Sequence, residues 1–515
     1  MNLWKKWEKK LDEHKKKDEK LKQPPSDEQR VQQEDGLLFE SSDFKQTTFV
    51  NGPTGKWFQF QFLESLVDNQ TVGELVLPKL LSQPLESLDD LIKLVPDTDV
   101  LLTTKQEELE ERIFQGYVAM TLKGDPDRIA FLKAAQLIAR KIAPPEVEFS
   151  VIGPKEAFSE AIEYNIHLIR RRLPTKKLVI KEKTLGSLSK SRTCILYIDG
   201  IANEENVNTV MQRLEDVRFD TIPDSSFVEQ LISDNKNSPF PQLLDTERPD
   251  RVASTLSEGK VVILVNGSPH ALIGPTTFTE FFSTFEDYFL NWIISSFFRI
   301  VRLFAVAFSV LVTPIYVAAL TYHYEMIPRD LLSTLVSSRQ EIPLPPILEA
   351  IFLEMAIELL REAGARLPTK VGQTIGIVGG IVIGTASVEA GLTSNVLLII
   401  VALAALASFT TPVYKIGNTI RLIRFPFLLF AQFWGLLGIV FCFCFFMAHL
   451  LRLTSLGRPF LEPIYPPRFT DLKDSIIRLP FDKLRMRPSN LRPPSKDRFS
   501  GKSTSSSKKY KDIDE

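Results

Sequence analysis

The stretch LFAVAFSVLVTPIYVAAL, residues 303–320, contains no charged side chain. A run of this length can cross the hydrocarbon core of a bilayer as a helix, because a helix satisfies its own backbone hydrogen bonds. Arg299 and Arg302 precede the run, and basic residues favour the cytoplasmic side of a membrane. The stretch therefore predicts a membrane span, kinked at Pro314, with the preceding chain in the cytoplasm and residues 321–343 outside.

Charge and apolarity are segregated along the 515 residues, although 62 basic and 63 acidic residues nearly cancel overall. This balance argues against a nucleic-acid-binding protein. Residues 1–35 form a charged leader, expected to be disordered or helical, and residues 301–451 are dominated by apolar runs. Residues 452–515 form a basic tail that we expect to be mostly disordered. The three cysteines allow neither a disulfide framework nor a cysteine-based zinc site.

The polar region before residue 280 contains an internal repeat. Residues 57–81 and 193–215 share an apolar strand, an acidic residue, a turn and a helical period, and residues 116–135 match 259–278 in the same order. Two matched pairs at similar offsets predict a duplicated α/β unit. We therefore expect two similar α/β subdomains, at 36–150 and 183–280, joined by a helix within 151–182. The fold class is an α/β cytoplasmic region followed by an α-helical transmembrane domain.

No catalytic motif is present in this polar region. The sequence NGPTGKW, residues 51–57, lacks the glycine and the hydroxyl residue that a phosphate-binding loop requires, and the five histidines are isolated. We therefore expect neither an enzyme nor a bound cofactor. In DTERPDR, residues 245–251, the charged side chains favour an ion-pair network. Candidate subdomain contacts are Asp199, Glu247, Arg248 and Asp250.

Two stretches flank the first span in unusual ways. Residues 281–300 place aromatic side chains at helical spacing, which predicts an interfacial helix. Residues 345–364 are apolar but carry Glu349, Glu354 and Glu358, and a carboxylate that faces lipid is costly. Either Glu358 forms a buried pair with Arg361, or Glu354 and Glu358 line a hydrated path for cations.

A series of glycines marks the next predicted span, residues 371–390, which is followed by spans at 395–414 and 425–451. Small residues let helices approach closely, so the series predicts helix packing or an oligomer interface. Its members are Gly372, Gly376, Gly380 and Gly384. Five spans would place the basic tail outside. Either the 345–364 helix does not cross, or the tail violates the positive-inside rule.

Several long motifs resemble the A subunit of the GerA-type spore germination receptors. They cover roughly residues 150–480 and include IDGIANEENVN, VNGSPHALIGPTTF, HYEMIPRDLL, GQTIGIVGGIVIGTASVEAGL and PVYKIGNTIRLIRF. The resemblance implies a multi-pass protein of the spore inner membrane, with the N-terminal domain facing the spore core. It also implies two partners, a polytopic B subunit of amino-acid-transporter type and a lipoprotein C subunit.

The resemblance further implies a nutrient receptor in which A subunits oligomerise to form a ligand-gated cation channel. An alternative is a membrane-anchored scaffold that assembles the receptor without conducting ions. A secondary transporter is a further alternative, but the inverted hydropathy repeat expected for one is not evident.

Overall fold

The computed structural model describes residues 41–498, apart from 69, 97–98, 105–107, 124, 136–144, 146–147, 149 and 469–470. The predicted leader and residues 499–515 lie outside the described residues. The chain divides into two compact units. Of the described residues, the first contains those up to 138 with 173–182, and the second contains those within 139–172 and 183–498.

The first unit is built on one antiparallel sheet. Its strands have the order β1-β2-β4-β5-β3, and alternation in β2 places Phe58 and Phe60 in the core while Gln59 and Gln61 remain partly exposed. In chain order the elements are β1 Phe44–Val50, β2 Trp57–Leu63, a π-helical turn Thr71–Val76, α1 Leu77–Ser82, α2 Leu91–Leu94, β3 Val100–Thr103, α3 Glu108–Phe114, β4 Tyr117–Leu122 and β5 Asp125–Lys133.

The α/β part of the second unit is built on a sheet of order β6-β7-β9-β10-β8, and only residues 178–182 of β6 are counted with the first unit. Its elements are α4 Ile162–Arg172, β6 Leu178–Leu185, β7 Ser191–Ile198, α5 Glu204–Asp216, α6 Ser225–Ile232, β8 Leu244–Thr246, α7 Pro249–Glu258, β9 Val261–Val265 and β10 Ala271–Gly274. The connecting helix is thus shorter than the 151–182 segment assigned to it. The end of that segment, from Leu178 onward, includes the β-branched residues Val179 and Ile180 and forms strand β6 instead.

The two sheets have the same strand order, which is what the sequence repeat predicts. The first matched pair of segments contains β2 and β7, and the second contains β4–β5 and β9–β10. Asp68 and Asn203, which the repeat aligns, also play the same local role. The Oδ1 atom of Asp68 accepts a hydrogen bond from Gln70 N at 3.1 Å, and that of Asn203 accepts one from Glu205 N at 2.8 Å. Asn203 is the N-cap residue of α5, and Asp68 makes the corresponding bond just before the π-helical turn, whose own N-cap residue is Gln70.

The remainder of the second unit is mainly helical. Its helices are α8 Trp292–Thr321, α9 Arg329–Arg339, α10 Pro346–Arg366, α11 Thr369–Glu389, α12 Asn395–Ser408 and α13 Tyr414–Arg452. By length and composition, α8 and α13 could cross a membrane, while 376–389 and α12 are shorter apolar helices. The predicted interfacial helix at 281–300 is wrong as a single helix. Short 3₁₀ turns occupy Phe278–Phe282 and Phe285–Tyr288, and α8 begins after Asn291, whose side chain caps it.

Helix α13 is a helical hairpin and not one continuous rod. Gly435 has φ 57° and ψ −137°, which is not helical. The rings of Phe427 and Phe446 stack at 5.7 Å, whereas a straight helix would separate them by about 28 Å. The prediction of one final span at 425–451 is therefore wrong. The chain instead forms an outgoing arm, 414–434, and a return arm, 436–452.

Both ends of the hairpin contact the α/β part of the second unit. Lys415 pairs with Glu229 and lies 3.1 Å from Asp245, and Thr419 Oγ1 donates to the carbonyl of Pro239 at 2.5 Å. At the other end, His449 Nε2 is 2.9 Å from Ser238 Oγ. The first turn of the outgoing arm and the last turn of the return arm thus both lie against the α/β part of the second unit. Counting the two arms separately changes the number of predicted spans from five to six.

The segment after the hairpin, residues 453–498, packs against the second unit. It contains β11 Thr454–Ser455, β12 Arg458–Pro459 and α14 Leu472–Ser475. Phe460 and Leu491 are fully buried, and Arg478 donates to the carbonyl of Leu290 at 2.7 Å. The prediction of a mostly disordered tail is therefore wrong for these residues. Widely spaced apolar side chains and paired arginines hold them, and composition alone does not reveal either.

Candidate functional site in the helical bundle

Glu354, near the middle of α10, is closed off by partners from two other helices. Its side chain is 2% exposed. Arg424 on the outgoing arm of α13 donates to Oε2, and Thr313 of α8 donates to Oε1 at 3.2 Å. A buried carboxylate is stable only when a counter-charge and hydrogen bonds replace its lost water. The Glu354–Arg424 pair therefore fastens α10 to the hairpin and leaves no free carboxylate at this point.

Glu358 lies one turn further along α10 and is shared by two arginines. Arg361 Nε donates to Oε2 at 2.9 Å, as the pair alternative predicted, and Arg421 Nε lies 3.5 Å from Oε1. Both guanidinium groups also donate to Asn418 Oδ1. The sequence contained a signal for these partners: Arg421 and Arg424 are three residues apart and the two acids on α10 are four apart, so each pair lies on one face of its helix.

Glu349 completes the row of acids at the start of α10. It is fully buried, receives a hydrogen bond from Ser394 N at 3.2 Å and pairs with Arg339 Nη2 at 2.9 Å. The arginine comes from α9. Each acid of α10 thus has an arginine partner, and these partners fix α10 against α9 and α13.

The predicted glycine series divides into closed and open positions. A Cβ on Gly372 would lie 2.8 Å from the carbonyl oxygen of Gly364, and one on Gly384 would lie 3.7 Å from Leu398. For Gly376 and Gly380, no heavy atom of the described residues outside the helix's own backbone lies within 4 Å of the same position. Gly379, outside the series, is also closed, at 2.7 Å from Leu360. Within the protein, other helical segments therefore pack against Gly372, Gly379 and Gly384.

The open positions belong to an apolar surface of α11. Ile377, Val378, Ile381 and Val382 are each more than half exposed and lie beside Gly376 and Gly380 on the helix. We call these six residues the open face of α11. Increasing numbers along α11 meet decreasing numbers along α10, so the two helices are antiparallel and the open face lies away from their contact.

The candidate subdomain contacts are only partly brought together. Arg248 and Asp250 form a buried bidentate pair, with Nε–Oδ1 at 3.0 Å and Nη2–Oδ2 at 2.7 Å, and Arg248 also donates to Ser150 Oγ. Glu247 lies 3.6 Å from His270. In the described part of the chain, no hydrogen bond or ion pair joins Asp199 to this group. The network holds the segment around Ser150 to the second α/β sheet.

The protein is thus a duplicated α/β region followed by a bundle of apolar helices locked by buried ion pairs. The family described as Bacillus/Clostridium GerA spore germination protein matches residues 32–490, and the chain belongs to this family.

Individual relatives agree with this assignment. Spore germination protein GerQA of Bacillus cereus is 50% identical over 90% of this chain and 92% of its own length. Spore germination protein GerIA of Bacillus cereus is 45% identical over 88% of this chain and 68% of its own length. Among solved structures, the N-terminal domain of the A subunit of the Bacillus megaterium spore germinant receptor GerK3 is 28% identical, with a TM-score of 0.37, and the match covers 48% of this chain and 94% of that one.

Proposed function

We propose that this chain is the A subunit of a nutrient germinant receptor in the spore inner membrane, and that it oligomerises to form a ligand-gated cation channel. Its partners would be the B and C subunits of the same receptor. The proposal assigns no enzymatic activity and no cofactor. Within the described residues no group of three His, Cys, Asp or Glu side chains could hold a metal ion.

The membrane domain would consist of six crossing segments: α8, α10, α11, α12 and the two arms of α13. Large apolar side chains such as Phe304, Leu359 and Phe433 are exposed on these segments, as expected for surfaces that contact lipid. The contacts of Lys415 and His449 with the α/β region support a topology in which that region and residues 453–498 share the cytoplasmic side.

The observation that carries the channel proposal is the open face of α11. Gly376 and Gly380, which no other described segment covers, and the exposed apolar side chains beside them form a smooth surface that a second copy of the chain could approach closely. In the oligomer this face would form the boundary between subunits next to the pore.

The proposed cation path includes Glu354 and Glu358, which are both paired with arginine in the described arrangement. Conduction along these acids requires Arg424 and Arg361 to move away from them. The two pairs would then act as a latch that keeps the path closed in the dormant state. Movement of the α13 hairpin, which carries Arg424, would open it.

Reconstitution of the purified oligomer in liposomes tests this function. Cation flux is recorded with and without the B subunit and nutrient, for the wild type and for Arg424→Gln, with Arg366→Gln as a control on an exposed ion pair. Nutrient-dependent flux in the wild type, and increased basal flux in Arg424→Gln alone, are the expected results. Sealed liposomes in every condition would favour the alternative, a scaffold subunit whose arginine-paired acids serve only to hold the helices together.

A further inference from the structure

A cavity of about 170 Å³, lined by both apolar and charged side chains, lies where α13 begins. Its lining includes Arg361 from α10, Thr411 from the loop before α13, and Tyr414, Gly417 and Arg421 from α13. Glu362 also lines it, but this carboxylate is paired with Arg366 at 2.6 Å. The remaining charges are the two guanidinium groups and the single carboxylate of Glu358, so the cavity has a surplus of positive charge.

Two buried polar groups at this cavity lack hydrogen-bond acceptors or donors. Arg421 is 8% exposed, and its Nε makes no hydrogen bond, while the oxygen of Glu358 stands 3.5 Å away. The buried hydroxyl of Thr411 likewise makes none. Buried polar groups normally have a hydrogen-bond partner, and the described residues supply none for either of these atoms.

The start of α13 contributes further donors. Its N-cap residue is Val413, whose side chain cannot cap the helix, and the first N–H groups of a helix have no acceptor within the helix. Gly417, in the first turn, carries no side chain that would cover them. Helix N-termini and paired guanidinium groups both favour phosphate, the first through the helix dipole and the second through bidentate hydrogen bonds.

We propose that this cavity binds a phosphate group, supplied by an anionic phospholipid headgroup or by free phosphate. Phe409 and Tyr414 stand exposed at its rim, as aromatic side chains do at a membrane interface. Lys415, the next residue, contacts the α/β region, so the cavity lies at the base of the bundle. The lipid source rests on the proposed membrane placement, whereas the anion chemistry does not.

Ligand-dependent thermal unfolding of the full chain in a nonionic detergent tests the site. The probes are inorganic phosphate, dioctanoyl phosphatidylglycerol and dioctanoyl phosphatidylcholine, each at constant ionic strength. We expect phosphatidylglycerol to raise the unfolding temperature more than phosphatidylcholine does. Arg421→Gln and Arg361→Gln should each weaken its apparent affinity about tenfold, the loss expected for one charge-assisted contact.

Three further variants keep the result interpretable. Arg329→Gln removes an exposed charge from α9, outside the cavity lining, and should leave the affinity unchanged. Arg361→Lys keeps the positive charge but loses the planar guanidinium group that can donate two parallel hydrogen bonds. Thr411→Val preserves the shape of the side chain while removing its hydroxyl. Both variants test the site with little risk to folding.

The outcomes are distinct. A response to phosphatidylglycerol alone identifies a lipid headgroup site, and a response to inorganic phosphate of similar strength identifies a site for the free anion. Equal responses to the two lipids with none to phosphate, or affinities that do not change in the Arg361 and Thr411 variants, would overturn the proposal. Neither result depends on ion conduction, so the channel proposal stands or fails separately.

Discussion

Phe427 and Phe446 stack with their ring centroids 5.7 Å apart, although nineteen positions separate them in the sequence. This contact is possible only because the chain reverses at Gly435. The reversal places Lys415 and His449 against the same α/β region, and it decides on which side of the bundle the C-terminal segment lies. The membrane topology of the proposed receptor subunit follows from this one turn.

Accessibility from the two sides of a membrane tests that topology. In a variant without its native cysteines, single cysteines at Glu204 and Arg452 should react with an impermeant reagent from the same side of sealed vesicles. A cysteine at Trp434, next to the turn, should react from the opposite side. The reagent's access to Glu204→Cys sets the reference, because this residue lies exposed on α5 in the α/β region. Labelling of Arg452→Cys from the opposite side to Glu204→Cys would contradict the hairpin.

Gly435→Ala should destabilise the bundle by about 1–3 kcal/mol, the usual cost of a strained backbone conformation. The positive φ of Gly435 disfavours any side chain, and a Cβ would lie 2.8 Å from His323 Nε2. Thermal unfolding of the detergent-solubilised chain provides the measurement.

Gly380→Ala is the matched control for this change, because Gly380 is helical and open. Alanine should stabilise that position by up to about 1 kcal/mol. Equal effects of the two substitutions would argue against a tight turn at Gly435.

Glu354→Gln should lower the free energy of unfolding by about 3–5 kcal/mol, because Arg424 would be left buried without its counter-charge. The double variant Glu354→Leu with Arg424→Leu should lose less than Glu354→Gln alone. Unfolding of the purified chain measures the free-energy change for the single and the double variant. Glu362→Gln, which removes an exposed member of a surface pair on the same helix, should change stability by less than about 1 kcal/mol.

Asp234 should make stability depend on pH in the acid range. Burial alone would raise the pKa of this carboxyl, but hydrogen bonds from Arg213, Thr454 and Gly457 outweigh it and hold the pKa below the ordinary value of 3.8. A carboxyl with a lowered pKa stabilises the folded state above its unfolded pKa, and this contribution is lost as pH falls through the folded pKa. Asp234→Asn should therefore cost about 2 kcal/mol at neutral pH.

The pH profile of the unfolding temperature checks this prediction. The difference between wild type and Asp234→Asn should shrink as pH falls from about 3.8, where the carboxyl of the unfolded chain becomes protonated, through the lower pKa of the folded state. Asp216→Asn, at the exposed end of α5, should follow the wild type throughout. A constant difference across the acid range would mean that Asp234 acts through shape and not through charge.

Gly380→Leu should disrupt oligomers before it disturbs the fold. The substitution fills the open face of α11, where the monomer has room for it. Size-exclusion chromatography with light scattering should show a shift to smaller species at an unchanged unfolding temperature of the α/β region. Gly372→Leu provides the contrast, since its Cβ would meet the backbone of Gly364 and should destabilise the monomer itself.

Local patterns in the sequence predicted much of this fold correctly. The repeat of strand, turn and helix placed equivalent strands in two sheets, because alternation and capping act over a few residues. The predicted pair of Glu358 and Arg361 is likewise a local contact, one turn apart on a helix. The sequence did not show which glycines of the series are covered and which are open, since this depends on the tertiary neighbours of each glycine.

The sequence by itself determined the class of the protein: two related α/β sheets, a set of apolar helices, and acids on α10 that require partners. Only the tertiary structure decided that Arg424 and Arg339 are those partners, that the last apolar run turns back at Gly435, and that residues 453–498 pack on the second unit. A glycine in an apolar run fits a helix as well as a turn. Contacts between distant residues select one of the two, because burial of Phe427 against Phe446 and pairing of Lys415 with Glu229 both require the reversal.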